Sequence, residues 1–405
     1  MSIQTFHRSR LFIASVLLIG IWVVEISPQQ AQRPRRVTNG TEQTNEQKKP
    51  DAPKTDASDE VDEGDVVRVD TQLVSVPAVV TDATGRPLSG LKPENFRLIE
   101  DGQPQTITNF GTTQTPFEIA LLLDTSGSTR DDVALIRSAA NSFIEALRPG
   151  DRVGIVAFNT AQTANSTTAT VEVLSPLTGD RGGLRNAIEN LGSSNGTPYY
   201  DALERVVQSI FRDPPGEDVR GRRAVVALTD GVDSASKSDF GTAKLQLSRA
   251  GVACYFVQIN TEDFVEDRLM KDCQDDGQLS LSQKQIERYR RIFVPAAKAE
   301  DFNQFCRMGP FERMSISREL YNLARREMND LARVSGGQSF QAATLADARA
   351  AFARVAADIG TQYSLGYYPT NKARDGKFRA IKLEVKGVKE KAQIRARDGY
   401  YAPKQ

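Results

Sequence analysis

Histidine is almost missing from this 405-residue chain: there is one, His7, in a segment that reads as a targeting signal. No imidazole remains beyond it to act as a general base. Ser-His-Asp and Cys-His nucleophilic arrangements are therefore excluded. Zinc sites built on histidine are excluded too, and three scattered cysteines (254, 273 and 306) do not make a four-cysteine site. Net charge is also lacking. With 52 basic and 52 acidic residues the chain has no electrostatic footprint for nucleic acid. Long apolar runs are lacking as well: Leu11 to Val24 spans 14 residues, short of the roughly 20 that a full membrane span needs.

What is present begins with that run. His7, Arg8 and Arg10 precede it, and a basic flank before a short apolar core predicts a signal peptide or N-terminal anchor over 1–27. Ala31 suits the residue before a cleavage, but Gln29 stands where a small residue is preferred, so an uncleaved anchor stays open. Either way the bulk is exported, to the periplasm, the cell envelope or the medium. Residues 28–66 are Gln, Pro, Asn, Lys, Asp and Glu with little aliphatic content, which predicts a disordered linker.

The chain is organised around Phe117–Arg130, FEIALLLDTSGSTR. Ile119 to Leu123 is an unbroken apolar run, too short and uniform for an amphipathic helix, and predicts a parallel strand buried on both faces. It ends in Asp124-Thr-Ser126-Gly-Ser128, after which a helical pattern starts at once. One carboxylate and two hydroxyls at alternating positions can turn three hard oxygens to one spot, which suits Mg²⁺. The same residues also suit a plain helix cap. Downstream, Arg223 to Thr229 is a second apolar strand, ending in Asp230-Gly231, and Asn195-Gly-Thr197 opens a helix between the two. Strands alternate with helices from 116 to 361, so the expected fold is α/β, a doubly wound and mostly parallel sheet. In such a sheet the loops at neighbouring strand ends meet in one crevice.

Asp124, Ser126, Ser128, Thr197 and Asp230 fall in the order Asp-x-Ser-x-Ser, then Thr, then Asp. In this the sequence resembles the von Willebrand factor type A family and its metal-ion-dependent adhesion site. The resemblance covers about 117–360 with one large insertion. It implies an Mg²⁺ site (Mn²⁺ or Ca²⁺ being alternatives) with the five residues as ligands, directly or through water. It also implies an open position for a carboxylate from a protein partner, and no catalysis. Two other readings stand beside it: an envelope scaffold with a vestigial metal site, and an Mg²⁺-dependent phosphoryl-transfer or hydrolytic site with Asp124 as nucleophile. Against the enzyme, Ser126 stands where such phosphatases carry a second Asp, and no phosphate-cradling lysine is adjacent.

Residues 261–325 interrupt the alternation with a charged, mostly helical insert, including a helix expected from Gln283 to Ala299. Cys273 and Cys306 lie inside it and are expected to pair in an oxidising compartment, leaving Cys254 as a buried thiol. The flanks, 67–115 and 362–402, carry short strands with turn chemistry: Asp82 to Pro87, Asp101-Gly102, and a hairpin turn at Asp375-Gly376. Neither has enough strands to bury a face, so the two are expected to form one small antiparallel β domain around the central one. The segments LGYYP and RDGYYAP near the end are also similar to those of bacterial exported proteins in a von Willebrand factor type A-related group. The last central helix, about 345–359, runs almost directly into the strand at Tyr363, so a shift of that helix would have to move the β domain or be resisted by it.

Overall fold

The structure, a computed structural model, describes residues 73–404 except 127–132, 164–165, 217, 220, 272, 274–280, 303 and 389–390. The expected leader (1–27), the linker (28–66) and the first residues of the β flank (67–72) lie outside the described residues.

The chain enters through β1 (Val74–Thr81), β2 (Phe96–Glu100), β3 (Gln103–Gln105) and β4 (Ile107–Gly111). The Asp101-Gly102 turn joins β2 to β3 as a hairpin, with φ of 45° and 83° at its two residues. Positive φ at both is what a two-residue turn matched to strand twist requires.

The central region follows: β5 (Glu118–Leu123), α1 (Val133–Ala146), β6 (Arg152–Thr163), β7 (Ser166–Thr178), α2 (Arg181–Glu189), α3 (Tyr199–Arg205), β8 (Arg223–Thr229), α4 (Phe240–Ala250) and β9 (Ala253–Ile259). Its six-stranded sheet is completed by β10 (Gln338–Ala342), in the order β10-β9-β8-β5-β6-β7. Every pairing is parallel except β6–β7. All six residues of β5 are buried, as a strand covered on both faces must be. Ile136, Phe143, Leu184 and Phe352 pack on one face of the sheet, and Tyr199, Leu203, Leu247 and Met328 on the other. The β6–β7 hairpin is longer than the apolar pattern predicts, since it runs on through 159–163 and 166–170, where both strands are polar. Its threonines favour extended backbone, and two strands that satisfy each other need no core beneath them.

The insert consists of α5 (Glu262–Lys271), α6 (Gln283–Phe293) and the first half of α7 (Pro310–Ser335). It has its own apolar core, built from Leu269, Ile286, Phe305, Ile316 and Leu320. The Cys273–Cys306 bridge is formed, and Cys254 is a buried free thiol. α6 stops at Phe293, short of the expected Ala299. The next residues, Val294-Pro295, explain this, because a residue before proline is pushed out of helical geometry. α7 is one 26-residue helix that packs into the insert core near 316–324 and into the sheet from 328. The insert is therefore continuous with the central region, not a separable loop. Replacing both Cys273 and Cys306 by serine is expected to destabilise the insert by about 3–4 kcal/mol, the loop entropy of such a closure. Hydrogen exchange should accelerate in α5 and α6 while the strands of the central sheet keep their protection.

α8 (Ala348–Gly360) leads to β11 (Tyr363–Tyr367), β12 (Phe378–Val385), β13 (Gln393–Ala396) and β14 (Gly399–Tyr401). Strands from both ends of the described chain interleave in two antiparallel sheets, β13-β1-β11-β4 and β14-β12-β2-β3. Val76, Leu98, Tyr363, Leu365 and Tyr400 share the core of this region. The hairpin expected at Asp375-Gly376 is not there. β11 and β12 belong to different sheets, and the turn pairs instead with the C-terminal segment through Asp375 and Lys404. Turn residues specify a local bend; which strand each arm joins is decided by side-chain burial over the whole region.

Where the chain crosses between the β region and the central sheet, two arginines hold it. Arg222, 2% exposed, donates to the carbonyls of Thr112 (3.0 Å), Thr115, Ile359 (3.2 Å) and Gln362 (2.8 Å) and lies over the Phe117 ring at 4.1 Å. Arg148 reaches the carbonyls of Thr113 and Gly360. The end of α8 is thus pinned to the entry strand by guanidinium groups.

Candidate metal centre

The sequence direction of the sheet reverses at β5: the chain steps from it to β6 on one side and later fills β8, β9 and β10 on the other. A crevice opens at the carboxyl ends of the strands at such a switch point. Asp124 follows β5 there, and Asp230 follows β8, the neighbouring strand.

Asp124 is wholly buried. Its backbone N–H donates to the Leu228 carbonyl at 3.0 Å, its Oδ1 accepts from the Ser126 N–H at 3.0 Å, and its Oδ2 accepts from Thr229 Oγ1 at 2.6 Å. Thr229 Oγ1 also accepts from the Gly231 N–H at 2.9 Å, so it links the two strand ends. Gly231 has φ 73°, the left-handed turn that the chain takes as it leaves β8. Asp230 accepts from the Val232 N–H at Oδ1 (2.9 Å) and from Thr261 Oγ1 at Oδ2 (2.6 Å).

Thr197 sits in the loop before α3. Its N–H donates to Ser234 Oγ at 2.8 Å and its carbonyl accepts from the Ser234 N–H at 3.0 Å. The same loop is tied to the Asp124 turn, where the Ser194 N–H donates to the Thr125 carbonyl at 2.8 Å. Ser126, Thr197 and Asp230 are all buried. The structure thus brings Asp124, Ser126 and Asp230 together and fastens the Thr197 loop to both strand-end turns. Ser128 lies outside the described residues.

Burial pushes the Asp124 carboxyl up to about 7, and the nearby Asp230 charge adds to the rise. Two acids held this close in a water-poor place resist being charged together. Burial also raises Asp233, two residues past Gly231, to about 6. Both folded pKa values lie above the ordinary aspartate value, so between about pH 4 and 7 the folded chain holds more protons than the unfolded one. Stability of the metal-free protein is expected to fall as pH rises through that window. Melts in chelator at pH 5 and pH 8 should show the lower midpoint at pH 8, and Asp124→Asn should flatten the difference.

Sequence reasoning did not reach Thr229, Thr261, Ser234 or Tyr321. Thr229 was open to discovery, as the residue before a strand-end acid. Tyr321 lies 60 residues from the threonine that it touches, and nothing local marks it.

Among the described residues no group of three or more His, Cys, Asp or Glu is placed to hold a metal. The donor set here is instead two carboxylates with hydroxyls, oxygen throughout. Residues 119–232 match the family model of the von Willebrand factor type A domain. Over that stretch the chain is similar to von Willebrand factor type A domains. The match runs from β5 to just past Asp230 and so contains all five candidate ligands. Von Willebrand factor type A domains commonly bind a divalent metal and generally serve as non-catalytic modules of protein interaction. Among solved structures, BatB from Bacteroides thetaiotaomicron aligns at 16% identity over 60% of this chain and 98% of its own, with a TM-score of 0.36. The von Willebrand factor type A protein from Catenulispora acidiphila aligns at 11% identity over 84% of this chain and 75% of its own, with a TM-score of 0.38. A search of curated proteins gives no match.

Proposed function

We propose that the von Willebrand factor type A domain, residues 116–361, is an Mg²⁺-dependent protein-binding module of an exported adhesion protein. Asp124, Ser126, Ser128, Thr197 and Asp230 would surround the cation. The observation that carries this reading is the pair of buried acids at the ends of adjacent strands, Asp124 raised by burial and by Asp230. A divalent cation relieves that repulsion and offsets the burial of both charges.

The residues fit the ion. Oxygen donors without nitrogen or sulfur suit Mg²⁺, with Mn²⁺ and Ca²⁺ as alternatives. Asp124 and Asp230 supply the charge, while the hydroxyls of Ser126, Ser128 and Thr197 add neutral ligands. Of the five candidate ligands only two are carboxylates, so a bound cation would stay electrophilic enough to take one more anionic oxygen. The partner is accordingly a protein that presents an Asp or Glu side chain. The Asp124 and Asp230 hydrogen bonds to Thr229, Thr261 and backbone N–H groups orient the carboxylates.

Export is supported by the basic flank and apolar run before residue 27 and by the Cys273–Cys306 bridge, which persists in oxidising compartments. Residues 28–66 would serve as an inert spacer between the N-terminal segment and the domain. Calorimetric titration of Mg²⁺ into the full chain tests the site: a saturable one-site isotherm is expected, abolished by chelator. A flat titration with no thermal shift in millimolar Mg²⁺ would remove this reading and leave the scaffold one.

A further inference from the structure

The helical insert touches the candidate metal centre at two places. Thr261, just beyond β9, gives its only hydroxyl hydrogen to Asp230 Oδ2 at 2.6 Å, and its oxygen lies 2.8 Å from the Tyr321 hydroxyl on α7. With that hydrogen committed, Tyr321 is the donor of the second bond. Both side chains are buried, so a two-hydroxyl chain runs from the insert's main helix to the carboxylate.

The second contact goes to the Thr197 side. Ser282 caps α6 and donates its Oγ to the Ser234 carbonyl at 3.0 Å, and Lys284 Nζ reaches the carbonyls of Ala235 (3.0 Å) and Ser236. Ser234 is the residue that pairs with Thr197 through both backbone and side chain. Val232, whose N–H holds Asp230 Oδ1, packs its side chain into the insert core. Asp124 and Ser126 are held differently: their turn rests on the central sheet through Leu228 and Thr229.

We infer that the helical insert is a positioning device for the Thr197–Asp230 half of the site, with Thr261 and Tyr321 as positioning residues that set divalent-cation affinity. The inference rests on the metal-site reading above. Asp230 has one oxygen held by Val232 and the other by Thr261, and both holders are anchored in the insert. A carboxylate whose rotation is fixed in advance does not have to be ordered by the arriving ion. Outer-sphere partners of this kind typically govern metal affinity by about 10–100-fold.

The test uses the full chain with Thr261→Val, Thr261→Ser and Tyr321→Phe, each titrated with Mg²⁺ alone by calorimetry. Thr261→Val is expected to weaken binding about tenfold, Tyr321→Phe about threefold, and Thr261→Ser to stay within about twofold of wild type. A double-mutant cycle of Tyr321→Phe with Asp230→Asn, melted in chelator, reads the hydroxyl chain without any metal. Non-zero coupling with weakened Mg²⁺ binding supports the inference. Wild-type affinity in both Thr261→Val and Tyr321→Phe overturns it, whatever the cycle gives, and leaves the insert as packing. If wild type itself binds no Mg²⁺, the metal-site reading falls and the positioning role falls with it. The cycle in chelator separates that failure from absence of the hydroxyl chain.

Discussion

Asp124→Ala is expected to abolish Mg²⁺ binding while leaving a cooperative fold. Asp124 is the one candidate ligand that is both charged and wholly buried, at the switch point of the sheet. Loss of an outer-sphere partner already costs a metal site about 10–100-fold, so loss of a charged ligand should weaken binding by more than about 100-fold. Two effects oppose each other in the metal-free protein. The substitution removes the repulsion between Asp124 and Asp230, and it strips the Thr229 hydroxyl and the Ser126 N–H of their acceptor. Each unpaired donor costs about 1–3 kcal/mol, so the melting midpoint in chelator should move only modestly. The decisive comparison is the thermal shift produced by Mg²⁺: present in wild type, absent in Asp124→Ala. An undiminished shift in the variant would place the ion elsewhere.

The second large effect is on stability, at Arg222. Its guanidinium serves four carbonyls on two different segments and covers the Phe117 ring. Arg222→Ala removes every one of those donors from a buried place and leaves a void, which is expected to cost about 3–5 kcal/mol in urea unfolding. Arg222→Lys should recover little, because a single ammonium cannot reproduce a planar fork of donors. Burial lowers the Arg222 pKa to about 9, which still leaves it charged at neutral pH. A variant as stable as wild type would show that the crossing segments are held by apolar packing alone. The same clasp bears on α8. Its carbonyl end is gripped by Arg222 at Ile359 and by Arg148 at Gly360, so sliding of this helix toward the β region is resisted.

Much of the site was legible in the chain because it is written in short, local signals. Ile119–Leu123 reads better as a strand buried on both faces than as an amphipathic helix, and the carboxyl end of such a strand is where a crevice forms. The grouping of Asp124, Ser126 and Ser128 with Thr197 and Asp230 comes from the resemblance to the von Willebrand factor type A family, since the residues alone also suit a helix cap. The Asp101-Gly102 hairpin and the helix around Phe352 were equally local, one a turn preference and the other a periodicity.

What only the tertiary structure decided is everything that joins distant residues. The Asp375-Gly376 turn looked like the centre of a hairpin, yet its two arms went to different sheets, because the buried faces of β11 and β12 found different partners. Two positively charged side chains, the buried Arg222 and the exposed Arg148, became clasps between segments, although an arginine in sequence gives no sign of which carbonyls will surround it. The link from Tyr321 through Thr261 to Asp230 spans almost a hundred residues and depends on α7 passing unbroken from the insert into the central domain. Periodicity and turn chemistry act over a few residues and so determine elements and their ends. Hydrogen bonds between side chains far apart in sequence exist only once packing has brought those elements together, and the neighbours of Asp230 were settled at that stage.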